Sequence, residues 1–203
     1  MVGSSKHSLR SEFSLSGQLL VAMPTIGDSR FDRTIIYICT HSDEGAMGLV
    51  VNRPADEIAF IDLLRQLKIM PEDGQVNLPE KVREIQVVHG GPIETSRGFV
   101  LHSVNSGPIL GSVEVDGEIR LSANLDILHL IAHGKGPDRV LFALGYAGWG
   151  AGQLEHEIQQ NGWLLCPASN DILFDDDFET KYERALSMIG VDLAMLSADV
   201  GRA

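Results

Sequence analysis

Cys39 and His41 stand two residues apart in the run TIIYICTH, and on an extended strand that spacing turns both side chains to one face. A thiol beside an imidazole can be activated toward the thiolate, the form that attacks electrophiles. The competing reading is a core cysteine, because a cysteine among isoleucines behaves as a small buried hydrophobe. His89-Gly90-Gly91-Pro92 has the look of the segment that builds an oxyanion hole in some esterases. That chemistry also needs a serine elbow, G-x-S-x-G, and the chain has none. Arg53 and Arg97 sit at strand ends beside loops in a chain short of positive charge. They can orient a carboxylate ligand or pair with the surplus of acidic residues.

A second concentration of interest is LGYAGWGAGQLEHEIQQNGW, from Leu144 to Trp163. Gly148, Gly150 and Gly152 give G-x-G-x-G, which is neither a dinucleotide fingerprint nor a phosphate-binding loop of the Walker type. Glu155 and Glu157 open the helix that follows, where carboxylates occupy the favourable end of the dipole and repel a phosphate. The glycines are expected to form a tight reversal from strand to helix, with positive φ at one of them or more and a loss of stability in Gly150→Ala. Tyr146 and Trp149 then either pack on the core or line a pocket. The candidate binding set is Arg53, His89, Arg97, Tyr146 and Trp149, and the candidate reactive thiol is Cys39 with His41. No histidine spacing of the HxH or HExxH kind occurs, and Cys39 and Cys166 form no CxxC pair, so neither a metal nor a cofactor is expected. The two cysteines read as free thiols of a reducing compartment.

These residues need elements to hold them. Residues 1–15 are polar, Ser-rich and aperiodic, and read as a disordered lead-in. Residues 16–203 read as one domain, since no Pro-, Gly- or Ser-rich linker divides them. Strands are expected at Gln18–Met23, Thr34–Thr40, Ala46–Val51, Glu84–His89, Arg97–His102, Arg139–Ala147 and Trp163–Cys166, with a hairpin about Asp116-Gly117. Apolar residues at three- and four-residue intervals predict helices over Asp56–Lys68, from Leu125 to Ala132, over Gln153–Gln160 and over Phe178–Ile189. About four helices and twice as many strands, with early strands in hairpins, make the class α+β.

With 203 residues, 44% of them hydrophobic, and a formal net charge of −12, the chain can bury a core and is repelled by phosphate backbones and anionic membranes. No apolar run approaches the roughly 20 residues that span a bilayer. The first residues lack the apolar stretch of a signal peptide, so a cytoplasmic location is expected.

Taken together, GQLLVAMPTIGDSRFDRTIIYICTH, EGAMGLVVNRP, VVHGGPIETSRGFVLH, the Leu144–Trp163 stretch with LLCPAS, and DILFDDD resemble the AlgH/YqgE family of bacterial proteins from about Gly17 to the C-terminus. The resemblance implies a bifurcated, mixed but largely antiparallel sheet that includes a small closed β-barrel, surrounded by helices. It brings no cofactor, catalytic residue or reaction, and it brings the label of transcriptional regulator. The expected function is a non-enzymatic regulatory module that binds a protein or small-molecule partner. Two alternatives stand beside it, a direct DNA-binding factor and a thiol-dependent enzyme using Cys39 and His41. The charge of −12 opposes direct nucleic-acid binding.

Overall fold

The computed structural model describes residues 14–70, 78–104 and 109–192. The disordered lead-in expected over residues 1–15 therefore lies outside the described residues up to position 13. Its end is tied down, since Leu15 N donates to His41 Nδ1 at 3.2 Å.

Among the described residues nine strands form the framework: β1 (Gln18–Ala22), β2 (Ile35–Ser42), β3 (Gly45–Val50), β4 (Val87–His89), β5 (Ile93–Ser103), β6 (Ser112–Glu114), β7 (Ile119–Ser122), β8 (Val140–Gly150) and β9 (Trp163–Pro167). They follow the order β6-β7-β5-β8-β3-β2-β1-β9, with β4 branching off beside β8. Every pairing between these strands is antiparallel except β4 with β8. Six helices accompany them among the described residues: α1 (Phe60–Gln66), α2 (Glu80–Arg83), α3 (Leu125–Ala132), α4 (Gln153–Gln159), α5 (Asn170–Phe174) and α6 (Phe178–Met188). No helix among them is long and apolar enough to cross a membrane.

Period-two alternation explains the layering. Leu19, Val21 and Tyr37 point into the concave face of the curled sheet with Leu101 and Leu121, and α5 and α6 close that face with Leu173 and Leu186. Leu20, Ile36 and Ile38 point the other way, onto Trp149, Trp163 and Leu154 of α4. A third cluster packs Phe60, Leu64 and Ile127 of α1 and α3 on Phe142 of β8. Strands buried on both faces read as continuous apolar runs, which is why β1, β2 and β8 are so plain in the sequence.

Three expectations need correction. The closed barrel is not formed, because the strand path ends at β6 and β9 and these do not pair among the described residues. The sheet is an open half-barrel, curled far enough for the Tyr37 hydroxyl to donate to Asp116 Oδ2 at 2.6 Å. Helix α1 starts at Phe60 rather than Asp56, since Ala55 N bonds Val87 O and Pro54 bridges Val88, which keeps this segment extended. The helices among the described residues number six rather than about four: α2 takes residues just before the expected Glu84–His89 strand, to which no element was assigned, and the five-residue α5, capped by Ser169, is too short to show a period.

The glycine-rich reversal is shorter than expected: of its three glycines Gly152 alone has positive φ, +70, at the N-cap of α4. Strand β8 runs on as far as Gly150, pairing Ala147, Gly148, Trp149 and Gly150 with β3. Gly150 has no positive φ, and a Cβ there would meet nothing closer than Gln153 Oε1 at 3.9 Å. The constrained glycines lie earlier, where β8 passes the His89-Gly90-Gly91 corner. Gly145 has φ +75, and a Cβ on Gly91 would sit 2.1 Å from the Tyr146 carbonyl carbon. Gly91→Ala should cost about 2–5 kcal/mol, from overpacking against backbone plus its strained φ. Gly150→Ala should range from neutral to about 1 kcal/mol stabilising, through lost freedom of the unfolded chain. Denaturant melts of the two variants check the order, and equal losses would contradict it.

Candidate functional site

The thiol pair separates on the strand that carries it. A β-bulge between Ile38 and Thr40 leaves Cys39 as the extra residue, so the alternation slips by one before His41. Cys39 remains in the concave core, 2% exposed, and its thiol donates to the Tyr37 carbonyl at 3.6 Å. Burial pushes that thiol's pKa well up, the opposite of an activated nucleophile. His41, paired with Ala46, emerges on the other face and reaches Glu155 of α4, Nε2 to Oε1 at 2.7 Å. Two residues of spacing thus put the groups on opposite faces.

The predicted binding set does not line one pocket either. Arg53 and His89 are backbone neighbours, with His89 N bonding Arg53 O at 2.9 Å. Their side chains part: Arg53 Nη2 donates to the Asp32 carbonyl, and His89 Nε2 lies 3.0 Å from Glu57 Oε1. Arg97 and Tyr146 meet on Phe99, the guanidinium 5.2 Å over its ring and the phenol ring 5.7 Å from it, edge-on. Trp149 lies across the sheet, in the cluster under α4. There Glu157 Oε2 accepts from both indoles, Trp149 Nε1 at 2.9 Å and Trp163 Nε1 at 2.7 Å. The two rings meet edge to face at 5.9 Å. Trp149 is a packing residue.

Concavity occurs elsewhere. A cleft of about 540 Å³ opens between α2, the loop after α3, the start of β8 and α5. Ile85, Ile131, Val140 and Phe174 give it an apolar floor, and Lys81, Arg139, Asp171 and Asp175 charge its walls. Arg139 and Asp138 also border a second, shallower hollow of about 470 Å³ with Glu118 and Asn170. Arg139 Nη1 faces Asp171 Oδ1 at 3.7 Å, a loose and exposed pair.

Behind the cleft wall is a buried cation. Lys181 of α6 is 0% exposed; its Nζ donates to the Val51 carbonyl at 3.3 Å and lies 4.4 Å over the Phe178 ring. Asp175 completes its surroundings as an ion pair at 3.8 Å and binds Arg184 Nη2 at 2.5 Å. Asp175 Oδ1 has no hydrogen-bond partner among the described residues although it is buried. Burial lowers the Lys181 pKa to about 8, against the pull of Asp175. The sequence offered only the acidic run Asp175–Asp177 as a signal, and that run reads equally well as the negative start of a helix.

An open, curled, mainly antiparallel half-barrel, branched at one strand and carrying a cleft between its helices, is the α+β class defined here. The chain belongs to the AlgH-like family, whose profile matches residues 19–194. It is 54% identical over 189 residues to a UPF0301 protein of Afipia carboxidovorans, covering 93% of this chain and 90% of that one. A UPF0301 protein of Methylocella silvestris is 52% identical over 189 residues, covering 93% and 92%. Among solved structures it is similar to that of the AlgH protein from Pseudomonas aeruginosa, with a TM-score of 0.74, 40% identity and full coverage of both chains. A crystal structure of a Corynebacterium diphtheriae protein shares the fold at a TM-score of 0.59 and 20% identity over 80% of each chain.

Two predictions follow from the buried polar groups. Glu157→Ala strands two indole N–H groups and should cost about 2–4 kcal/mol in urea melts. A loss below 1 kcal/mol would mean water replaces the carboxylate. For Lys181, the folded pKa lies below the unfolded one, so between about 8 and about 10.5 the unfolded chain holds the extra proton. Stability from this group therefore rises with pH through that window, by about 3 kcal/mol at most. Raised thiol and phenol pKa values, as at Cys39 and Tyr182, act in the opposite sense. The wild-type minus Lys181→Met difference isolates the lysine: melts at pH 7 and 10 should show the variant's relative advantage shrinking as pH rises.

Proposed function

We propose that the protein is a cytoplasmic regulatory module whose role is to bind a small molecule or a protein partner, and that the ligand seat is the cleft between α2, α3 and α5. The observation that carries this reading is the cleft itself. Its volume of about 540 Å³ falls within the roughly 300–1,000 Å³ of small-molecule sites, and its apolar floor with a few charged groups is their usual chemistry. The regulatory part of the reading rests on the resemblance to the AlgH/YqgE family. Regulation would run through that ligand or partner rather than through direct contact with DNA. The net charge of −12 opposes a phosphate backbone, and the cation of α1, Arg65, is already paired with Asp62 at 2.8 Å.

Filling the cleft tests the reading. Ile85→Trp places a large ring on a partly buried position of the floor. A ligand at 100 times its Kd stabilises a protein by about 2.7 kcal/mol. Thermal-shift screening of a metabolite library should therefore find compounds that raise the melting temperature of the wild type and leave the variant unmoved. Compounds that shift both proteins equally would place binding outside the cleft, and a library without effect on the wild type would count against a small-molecule ligand.

A further inference from the structure

His102, Ser112 and Ser122 come from three strands, β5, β6 and β7, and meet in a chain of short contacts. The Ser112 and Ser122 hydroxyl oxygens are 2.6 Å apart, and Ser122 Oγ is 2.9 Å from His102 Nε2. The other ring nitrogen, Nδ1, lies 3.1 Å from the Ser103 carbonyl oxygen. A carbonyl can only accept, so Nδ1 carries the proton and Nε2 offers its lone pair. The direction of the chain is then fixed: Ser112 donates to Ser122, and Ser122 donates to His102. His102 and Ser122 are each 1% exposed, whereas Ser112 is partly exposed on an edge strand. Burial, helped by the nearby Arg120 charge, lowers the His102 pKa and so keeps the imidazole in the neutral form that a base needs.

Two further features surround the outer serine. Arg120, the cross-strand partner of both His102 and Glu114, lies on the same face one pleat along from Ser122. Its Nε is buried with no hydrogen-bond partner among the described residues, and its pairing to Glu114 is loose at 3.8 Å. Leu110 is 84% exposed and Leu125 50% exposed. They are held at the Ser112 end of the hairpin by Asn124, which caps α3 and binds the Leu110 carbonyl at 2.9 Å.

We propose that Ser112 is an activated nucleophile, served by the Ser122–His102 relay, that takes the acyl group of an ester or thioester bearing an apolar chain. Ser112 Oγ attacks the carbonyl carbon while its proton passes to Ser122 and the Ser122 proton passes to His102 Nε2. Arg120 supplies positive charge beside the oxyanion that forms. The C–O or C–S bond breaks, and the proton on His102 returns along the relay to the departing alkoxide or thiolate. Water repeats the sequence, releasing the carboxylic acid and restoring Ser112. Leu110 and Leu125 cover the apolar chain. This site is separate from the cleft and stands whether or not the cleft binds a ligand.

An alkyl fluorophosphonate reports the same chemistry without a known substrate: Ser112 Oγ bonds to phosphorus, fluoride leaves, and the proton goes to His102. Peptide mass spectrometry of the treated full-length, folded protein should find the adduct on Ser112, and Ser112→Ala should carry none. Ser122→Ala should slow labelling at least tenfold and Ser122→Thr, which keeps the hydroxyl, should recover it. Leu110→Ser with Leu125→Ser should slow an octyl probe several-fold more than a methyl one. No adduct on Ser112, an equal rate in the urea-unfolded protein, or an unchanged rate in Ser122→Ala would each overturn the assignment. An equal effect on both probes would overturn the apolar-chain specificity.

Discussion

Strand β8 must serve two directions of sheet at once, and the rest of the fold depends on that. Over Val140–Leu144 it is flanked by β5 on one edge and β4 on the other. From Ala147 onward β3 takes up pairing with it. The exchange is possible only where backbones come closer than side chains permit. Gly90 N bonds the Leu144 carbonyl, Val50 N bonds the Gly90 carbonyl, and Gly91 lies against the Tyr146–Ala147 peptide. A Cβ on Gly145 would be 2.5 Å from the Gly91 oxygen. The His-Gly-Gly segment is thus a corner of the sheet, and its resemblance to an oxyanion-hole motif comes from the same cause, since both uses need unobstructed backbone.

Most of the framework was legible because it follows from periodicity. The alternating or continuous apolar runs of β1, β2, β3 and β8 and the hairpin about Asp116-Gly117 lie where the residues place them. Helix α3 follows its Asn124 cap, whose side chain accepts from Ile127 N. What could not be read was whatever depends on partners far along the chain. Ala55 is held extended by β4, which shortens α1, and nothing within residues 56–68 announces it. Sheet closure is likewise a property of the ends, and β6 and β9 are separated by some fifty residues that carry no signal of whether those edges meet.

The candidate site residues are held apart for a related reason. Predictions about which side chains share a face assume a regular strand, and one extra residue inverts them. The bulge in β2 sends Cys39 and His41 apart. Irregular pairing in β5 between Ile93 and Gly98 carries Arg97 out to an ion pair with Glu94 at 2.9 Å. Trp149, open in the sequence between core packing and a pocket wall, takes the first role, since strand pairing points it at Trp163 and Glu157. Glycines on a strand beside an aromatic leave room for rings, and the Gly148 position here is filled by Ile93 and the Tyr146 ring at 3.1 and 3.3 Å from where its Cβ would be.

Among the described residues, the two partly or fully buried histidines show what separates a strut from a base. His41 accepts at Nδ1 from Leu15 N, so its Nε2 carries the proton and gives it to the Glu155 carboxylate. Both nitrogens are committed to holding two segments against β2, and the carboxylate at the end of the chain can only accept. His102 has the opposite tautomer, with Nδ1 donating to a carbonyl and Nε2 receiving from a hydroxyl. A hydroxyl, unlike a carboxylate, can pass a proton onward, and the next group in line is another hydroxyl that reaches the surface. The residue type is the same, and the His-Ser dipeptide that both share gives no hint of either role. The partners decide it, and they lie 26 and 114 residues from His41 but only 1 and 20 from His102. The relay is therefore built within one local three-strand unit at the edge of the sheet, in which β7 pairs both β5 and β6.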